Sequence, residues 1–183
     1  AYGGGNRGDE LMLENLLRDI RAAAPECAVT VLSRRPEETA RRFDADALCY
    51  LDLPAAARRL QNARALIFGG GNLLQDATSR RSLAYYLALL RLGRRRGCRT
   101  LLYGAGLGPL TAHGWRKCAA ALNECADTIV FREEESLAAA RAHGVTVPEL
   151  ISGGDPALET PVPEAVHEDV LVICPRSGRG ALP

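Results

Sequence analysis

The chain has 183 residues, 47% of them hydrophobic, and a formal net charge of +1. This length suits one domain with a substantial core, and the near balance of charge gives no sign of a nucleic-acid partner. No apolar run is long enough to span a bilayer. The six cysteines include no Cys-x-x-Cys pair and no zinc-type spacing with histidine, so we expect reduced cytosolic thiols and no metal site.

Apolar, strand-like runs alternate with amphipathic helical stretches, and each pair takes about 30 residues, as in parallel βα units. The predicted helices span residues 9–24, 36–43, 54–61, 79–96, 112–124 and 133–142. The predicted strands span residues 28–33, 47–51, 65–68, 99–103, 128–131, 145–151 and 169–174. This order predicts an α/β domain with a Rossmann-like, doubly wound, mostly parallel sheet.

The first glycine-rich segment, residues 3–10, precedes the first predicted helix. Its spacing is close to that of a dinucleotide-binding fingerprint, but Asp9 and Glu10 stand where a pyrophosphate would meet the helix and would repel it. Two interpretations stay open. The segment is either a structural turn with a helix cap, or a loop whose backbone amides, together with Asn6, line a substrate cleft.

The second segment follows the predicted strand 65–68, which ends in three consecutive glycines. A buried strand that breaks into a glycine turn and leads into a helix is a usual ligand site in α/β proteins. The polar residues that follow favour a binding site over a simple turn. The candidate binding residues are Gly70, Gly71, Asn72, Gln75, Asp76, Thr78 and Ser79. Ser79 is alternatively a helix cap, and Asp76 a cap, a base or a hydroxyl-binding group.

Two further candidates follow the next two predicted strands. Gly106 lies in a segment of alternating glycines, and Arg132 stands at the end of strand 128–131, where a guanidinium is a natural clamp for phosphate or carboxylate. Arg132 can alternatively pair with one of the three glutamates after it. Because right-handed crossovers bring the carboxyl ends of parallel strands to one edge, we expect segments 3–8, 69–79 and 104–109 to share that edge. Asp155, before a proline, is interpreted as a turn residue.

Taken in order, five segments resemble the polysaccharide pyruvyl transferase family, in particular the bacterial enzymes that modify cell-wall polysaccharide so that S-layer proteins attach. The matching segments are residues 5–10, 69–79 with 82–87 behind it, 103–109, 132–136 and 155–157. The second of these is the specific one. The resemblance implies a two-domain enzyme of the GT-B type, with the active site between two Rossmann-like halves. Residues 1–183 are then the N-terminal domain of a longer protein, and the C-terminal domain is absent.

The resemblance also implies a reaction. Pyruvate is transferred from phosphoenolpyruvate, a co-substrate, to two hydroxyls of a sugar, giving a cyclic ketal and phosphate without any cofactor. The acceptor is an N-acetylmannosamine residue on a lipid-linked precursor. The enzyme is then cytoplasmic, at the inner face of the membrane, and contacts the membrane only through that acceptor. Arg132 is our candidate contact to phosphoenolpyruvate, and Asn72 and Asp76 are candidates for the acceptor hydroxyls.

Two departures from the family pattern bear on activity. Ala105 stands where the family commonly has glutamine, and the Arg-Leu-His segment expected in the C-terminal half is absent from this sequence. That segment is thought to supply phosphoenolpyruvate binding and acid catalysis, so we expect this chain alone to be inactive. Two alternatives stay open: half of a GT-B nucleotide-sugar glycosyltransferase, and a non-catalytic Rossmann-like binding module. The donor that protects the protein thermally would separate the first of these from pyruvyl transfer.

Overall fold

The computed structural model describes residues 2–160. The helices are α1 (Arg7–Ala23), α2 (Pro36–Phe43), α3 (Leu53–Leu60), α4 (Arg80–Arg95), α5 (Ala112–Cys125) and α6 (Glu134–Ala142), followed by a short 3₁₀ helix (Pro156–Glu159). The strands are β1 (Thr30–Ser33), β2 (Asp46–Cys49), β3 (Ala65–Leu74), β4 (Arg99–Leu107), β5 (Thr128–Phe131) and β6 (Glu149–Ser152). The predicted order of elements is confirmed across this range. The predicted strand 169–174 lies outside the described residues.

Every strand pairing in the described residues is parallel, which confirms the predicted Rossmann-like class. The strands form two sheets rather than one: β1 pairs with β2, and the second sheet has the order β3-β4-β5-β6. Tyr2 lies between these sheets. Its backbone bridges to Ser33 at the end of β1, and its hydroxyl donates a hydrogen bond to the carbonyl of Gly69 in β3. That this domain is one half of a GT-B enzyme stays a prediction.

Helices cover both faces of β3. The Cβ direction of Gly69 points at Leu16 of α1, whereas Leu66 packs against Gly93 of α4. Because successive side chains of a strand alternate between faces, residues three apart face opposite ways, so α1 and α4 lie on opposite sides. The larger core lies between the second sheet and α4, α5 and α6. The smaller core joins α1, β1 and α2.

Strands β3 and β4 are longer than the sequence predicts. The prediction ended β3 at Phe68 and treated the glycines as a turn, but Gly69 pairs with Tyr103 and Gly71 pairs with Ala105. The positive φ angles of Gly70 (72°) and Gly71 (82°) make this part of β3 irregular, and the register shifts before Leu74. Pairing with the neighbouring strand therefore overrides the weak strand preference of glycine.

A segment that we call the crossing segment, residues 155–160, returns from the end of β6 to α1. The side-chain amide of Asn15, only 4% exposed, donates to the carbonyl of Pro156 at 2.6 Å and to the hydroxyl of Thr160 at 3.0 Å. Pro156 fills the space into which a Cβ on Gly104 would point. The glycine at position 104 therefore allows the crossing segment to lie directly on β4.

The buried amide of Asn15 predicts a measurable contribution to stability. Replacing Asn15 with Ala leaves the carbonyl of Pro156 without its donor, which should cost about 1–3 kcal/mol of unfolding free energy. Denaturant unfolding monitored by circular dichroism measures this loss. The control is Asn62→Ala at an exposed position, which should change the unfolding free energy by less than about 0.5 kcal/mol. Equal effects of the two substitutions would contradict the assignment.

Candidate functional site

The carboxyl ends of the four strands of the second sheet bring four residues together. Asn72 comes from β3, Gly106 from β4, Arg132 directly follows β5, and Asp155 follows β6. Nη2 of Arg132 donates to Oδ1 of Asn72 at 2.8 Å. Nη1 of Arg132 lies 3.6 Å from Oδ2 of Asp155. Three residues that the sequence predicted separately, Asn72, Gly106 and Arg132, are thus neighbours.

Backbone pairing holds Arg132 at this edge. Its amide donates to the carbonyl of Ala105 at 3.2 Å, one residue before Gly106, so the strand ladder continues past the end of β5. The side chain is 25% exposed, and Nε lies 3.6 Å from Oε2 of Glu133, as the sequence suggested for one of the glutamates. The distances of 3.6 Å are those of ion pairs and exceed those of good hydrogen bonds. The guanidinium therefore keeps donors for an incoming anion.

Gly106 provides the space in which Asn72 meets Arg132. A Cβ at this position would overlap Oδ1 of Asn72 and would lie 3.1 Å from Nε of Arg132. Gly106 is itself buried. Any larger residue would therefore push the amide and the guanidinium apart.

Gly70 and Gly71 lie against α1. A Cβ on Gly70 would overlap the sulfur of Met12, and one on Gly71 would lie 3.9 Å from Cε of Met12. The positive φ angles of both residues also disfavour any side chain there. The absence of a side chain at position 70 thus serves the packing of α1 on the sheet, and a direct role of either glycine in binding stays a prediction.

Asp76 links the connection between β3 and α4 to the connection between β4 and α5, at the carboxyl edge of the second sheet. Its Oδ1 accepts from the amide of Thr111 at 2.9 Å, and its Oδ2 accepts from the hydroxyl of Thr111 at 2.6 Å. Thr111 is the N-cap of α5, and Gly114 leaves room for the carboxylate. The hydrogen bond from the Thr111 hydroxyl, together with that from its amide, lowers the pKa of Asp76. Asp76 is therefore a solvent-accessible carboxylate that stays ionised at neutral pH.

The remaining candidates make local hydrogen bonds. Gln75 bonds to Thr78 through both ends of its amide, accepting from the backbone N–H of Thr78 at 3.0 Å and donating to its hydroxyl. Ser79 caps α4, as the sequence allowed, by accepting from the amide of Ser82 at 3.2 Å. Asn6 caps α1. Within residues 2–160, no hydrogen bond joins these side chains to Arg132 or Asn72, and their binding roles stay predictions.

Two tyrosines of the matching segment 82–87 pack from α4 against aromatic rings of neighbouring segments. Tyr86 meets Phe68 edge to face, with ring centroids 6.4 Å apart, and Tyr85 meets Tyr50 in the same way at 5.9 Å. The hydroxyl of Tyr85 donates to the carbonyl of Tyr50 at 2.7 Å. Burial raises the pKa of Tyr85 to about 12. These contacts fix the start of α4 against β3 and the end of β2.

The sequence reasoning missed Asp155 and Glu10. The prediction that Asp155 is a turn residue is confirmed by the cap of Oδ1 on the 3₁₀ helix, but the sequence does not predict that Oδ2 faces Arg132. The sequence indicates Glu10 only as a charge that would repel a pyrophosphate, but its side chain is buried and accepts from the amide of Gly3 at 2.8 Å. An acidic residue before proline gives no signal of a distant arginine. Only the order of the strands places the two together.

The amino-acid sequence matches the family described as polysaccharide pyruvyl transferase over residues 6–178. This match covers nearly the whole chain and includes every one of the candidate residues. The chain belongs to the polysaccharide pyruvyl transferase family. None of the curated proteins compared with it matches.

Membership of the polysaccharide pyruvyl transferase family favours pyruvyl transfer over the nucleotide-sugar and non-catalytic alternatives, and it places the chain in polysaccharide synthesis. It also confirms the resemblance drawn from the five ordered segments. Within residues 2–160, no helix combines the length and apolarity needed to cross a membrane. In the same range, no three His, Cys, Asp or Glu side chains converge in a way that could hold a metal ion.

The hydrogen bonds from Thr111 to Asp76 predict a change in the titration of Asp76 when the hydroxyl is removed. Thr111→Val removes the hydroxyl donor, so the pKa of Asp76 should rise towards its ordinary value. A carboxylate with a lowered pKa adds stability that is present above the unfolded-state pKa and is lost as the pH falls through the folded-state pKa. In the variant, this acid-dependent loss should shrink. Carbon-13 NMR titration of the Asp76 carboxyl measures the shift.

Thr111→Ser is the matched control for that titration. Serine keeps the hydroxyl and the cap, so the pKa of Asp76 should stay lowered. A raised pKa in both variants would mean that the methyl group of Thr111, and not its hydroxyl, matters.

Proposed function

We propose that this chain forms part of an enzyme that transfers a pyruvyl group from phosphoenolpyruvate to two hydroxyls of one sugar in a polysaccharide precursor, giving a cyclic ketal. The observation that carries the proposal is the guanidinium of Arg132, which is held at the carboxyl edge of the sheet by Asn72. Family membership supplies the reaction class. The geometry supplies a cation where an anionic donor can reach it.

The donor is a small polyanion, and its charge sets what the site must provide. Phosphoenolpyruvate carries a phosphate and a carboxylate, and arginine matches either of these with two parallel N–H donors. Glu133 and Asp155 lie at 3.6 Å from the guanidinium, so they hold it in place while leaving hydrogen-bonding capacity unused. Arg132 is therefore our donor-binding residue.

The reaction needs one acid and assistance for two hydroxyls. A proton adds to the methylene carbon while the first sugar hydroxyl adds to the adjacent carbon and loses its proton to a base. The second hydroxyl then replaces the phosphate at that carbon, which closes the ketal and releases phosphate with the second proton. The first addition therefore needs a proton donor. We propose that it lies in the Arg-Leu-His segment known from the family, which this sequence lacks, and that the chain alone has no turnover.

We propose Asp76 for the acceptor sugar. Its carboxylate is accessible and ionised, and each oxygen uses one hydrogen bond to Thr111, so further lone pairs remain for sugar hydroxyls. The exposed amide of Asn72 offers a second contact through Nδ2. The acceptor in this proposal is an N-acetylmannosamine residue on a lipid-linked precursor, which would bring the enzyme to the inner face of the membrane without a contact of its own.

Donor binding tests the role of Arg132. Titration calorimetry of the chain with phosphoenolpyruvate should detect binding, and Arg132→Gln should weaken it at least tenfold, equivalent to about 1.4 kcal/mol. Arg132→Lys should lie between the two, because it keeps the charge and loses the two-pronged geometry. Arg96→Gln, at the far end of α4, is the control and should bind as the parent does. Undiminished binding by Arg132→Gln would refute the assignment.

Thermal protection and turnover test the reaction class. Phosphoenolpyruvate should raise the melting temperature of the chain, and a nucleotide sugar at the same concentration should not. The chain alone should release no phosphate from phosphoenolpyruvate in the presence of an N-acetylmannosamine acceptor. Protection by the nucleotide sugar alone would favour a glycosyltransferase, and turnover by the chain would overturn its proposed inactivity.

A further inference from the structure

We propose that Asn72, Gly106 and Asp155 are positioning residues, which together fix the guanidinium of Arg132 in the orientation that receives an anionic donor. We call these three residues the edge brace. Asn72 lies in β3, Gly106 lies in β4 and Asp155 begins the crossing segment after β6, and Arg132 itself follows β5. The inference rests on the proposed function for its ligand, but the brace itself is a property of the free chain.

Asn72 holds the guanidinium from the β3 side. Its Oδ1 accepts from Nη2 of Arg132 at 2.8 Å, and its Nδ2 lies 3.4 Å from the carbonyl of Gly108, which sets the direction of the amide. An amide is neutral, so it orients the guanidinium without cancelling its charge. A carboxylate at position 72 would instead compete with the donor for Arg132.

Gly106 keeps the path between the two side chains open. A Cβ here would overlap Oδ1 of Asn72 and approach Nε of Arg132 to 3.1 Å. The position is buried, so neither side chain can avoid the clash without leaving its partner. Gly106 therefore contributes through the space that it leaves and not through a contact of its own.

Asp155 holds the guanidinium from the β6 side and divides its carboxylate between two tasks. Oδ1 accepts from the amide of Ala157 at 3.0 Å and starts the 3₁₀ helix, while Oδ2 lies 3.6 Å from Nη1 of Arg132. The next residue, Pro156, is bound through its carbonyl to the buried amide of Asn15. The carboxylate is thus anchored by α1 as well as by β6, and it restrains Arg132 from a fixed position.

The charge of Asp155 makes the proposal sharply testable. By charge alone, removing a carboxylate beside an anion site should strengthen anion binding, because the repulsion disappears. A positioning role predicts the opposite, since the guanidinium loses its restraint. The sign of the change in Asp155→Asn separates the two effects, because asparagine keeps the Oδ1 acceptor for Ala157 and places an NH2 group, which cannot accept from Arg132, where Oδ2 stands.

The first measurement needs no ligand. The nitrogen-15 order parameter of Arg132 Nε in the free chain should be that of an ordered group, above about 0.7, and should fall below about 0.6 when the brace is broken. The variants are Asn72→Ala, Gly106→Ala and Asp155→Asn. Gly154→Ala is the matched control for Gly106→Ala, because a Cβ at position 154 meets nothing within 4 Å. Asn72→Ala and Asp155→Asn add no atoms to the core, so they remain informative where Gly106→Ala fails to fold.

The second measurement is calorimetric titration of the same variants with phosphoenolpyruvate. We expect affinity to fall about tenfold in Gly106→Ala and about threefold to tenfold in Asn72→Ala and Asp155→Asn. Gly154→Ala should bind as the parent does. Stronger binding by Asp155→Asn, or an unchanged order parameter of Arg132 in Asn72→Ala and Asp155→Asn, would overturn the inference.

The two measurements test the donor assignment and the brace independently. Should Arg132→Gln bind phosphoenolpyruvate as the parent does while the order parameter falls in the brace variants, the donor assignment of the proposed function is wrong and the brace stands. Should Arg132→Gln abolish binding while the brace variants bind normally, the donor assignment stands and the brace is wrong.

Discussion

The candidate site depends on the backbone pairing of the β3 glycines with β4. Gly69 and Gly71 continue the ladder to Tyr103 and Ala105, so both strands reach the same edge before they end. Only this continuation puts Asn72 beside Gly106, and the backbone bond from Arg132 to Ala105 adds the arginine at the same level. A turn directly after Phe68 would have left the polar residues of β3 on a separate loop. The glycines thus allow β3 and β4 to stay paired beyond Phe68, and this longer pairing brings the site residues together.

The regular part of the fold was predictable because its determinants are local. Apolar periodicity and Pro36 at the first position of α2 indicate the helices and strands to within a few residues. The length of β3 was not predictable in this way, since glycine gives no strand signal and its partner strand lies 34 residues further along the chain, at Tyr103 for Gly69. The role of Asn15 as an anchor was not predictable for the same reason, because its partners are more than 140 residues away.

Six of the candidate residues predicted from sequence fall into two physical kinds. Asn72, Gly106 and Arg132 form one cluster, which the idea of a shared sheet edge anticipated. Gln75, Thr78 and Ser79 instead satisfy their own hydrogen bonds in the connection to α4. A polar run in a sequence does not distinguish a side chain that awaits a ligand from one that closes a turn, because both need the same atoms. The distinction requires the partners, which only the fold supplies.

The crossing segment also bears on how the domain unfolds. The smaller core of α1, β1 and α2 holds four buried apolar side chains, Leu13, Leu17, Val31 and Phe43, which is little for an independent unit. Asn15 fastens this unit to the crossing segment, which follows β6, through Pro156 and Thr160. We therefore expect a fluctuation that frees the crossing segment to loosen α1 as well. We expect the two cores to share one cooperative transition, so that amide protons in α1 exchange at rates set by an opening that includes the crossing segment.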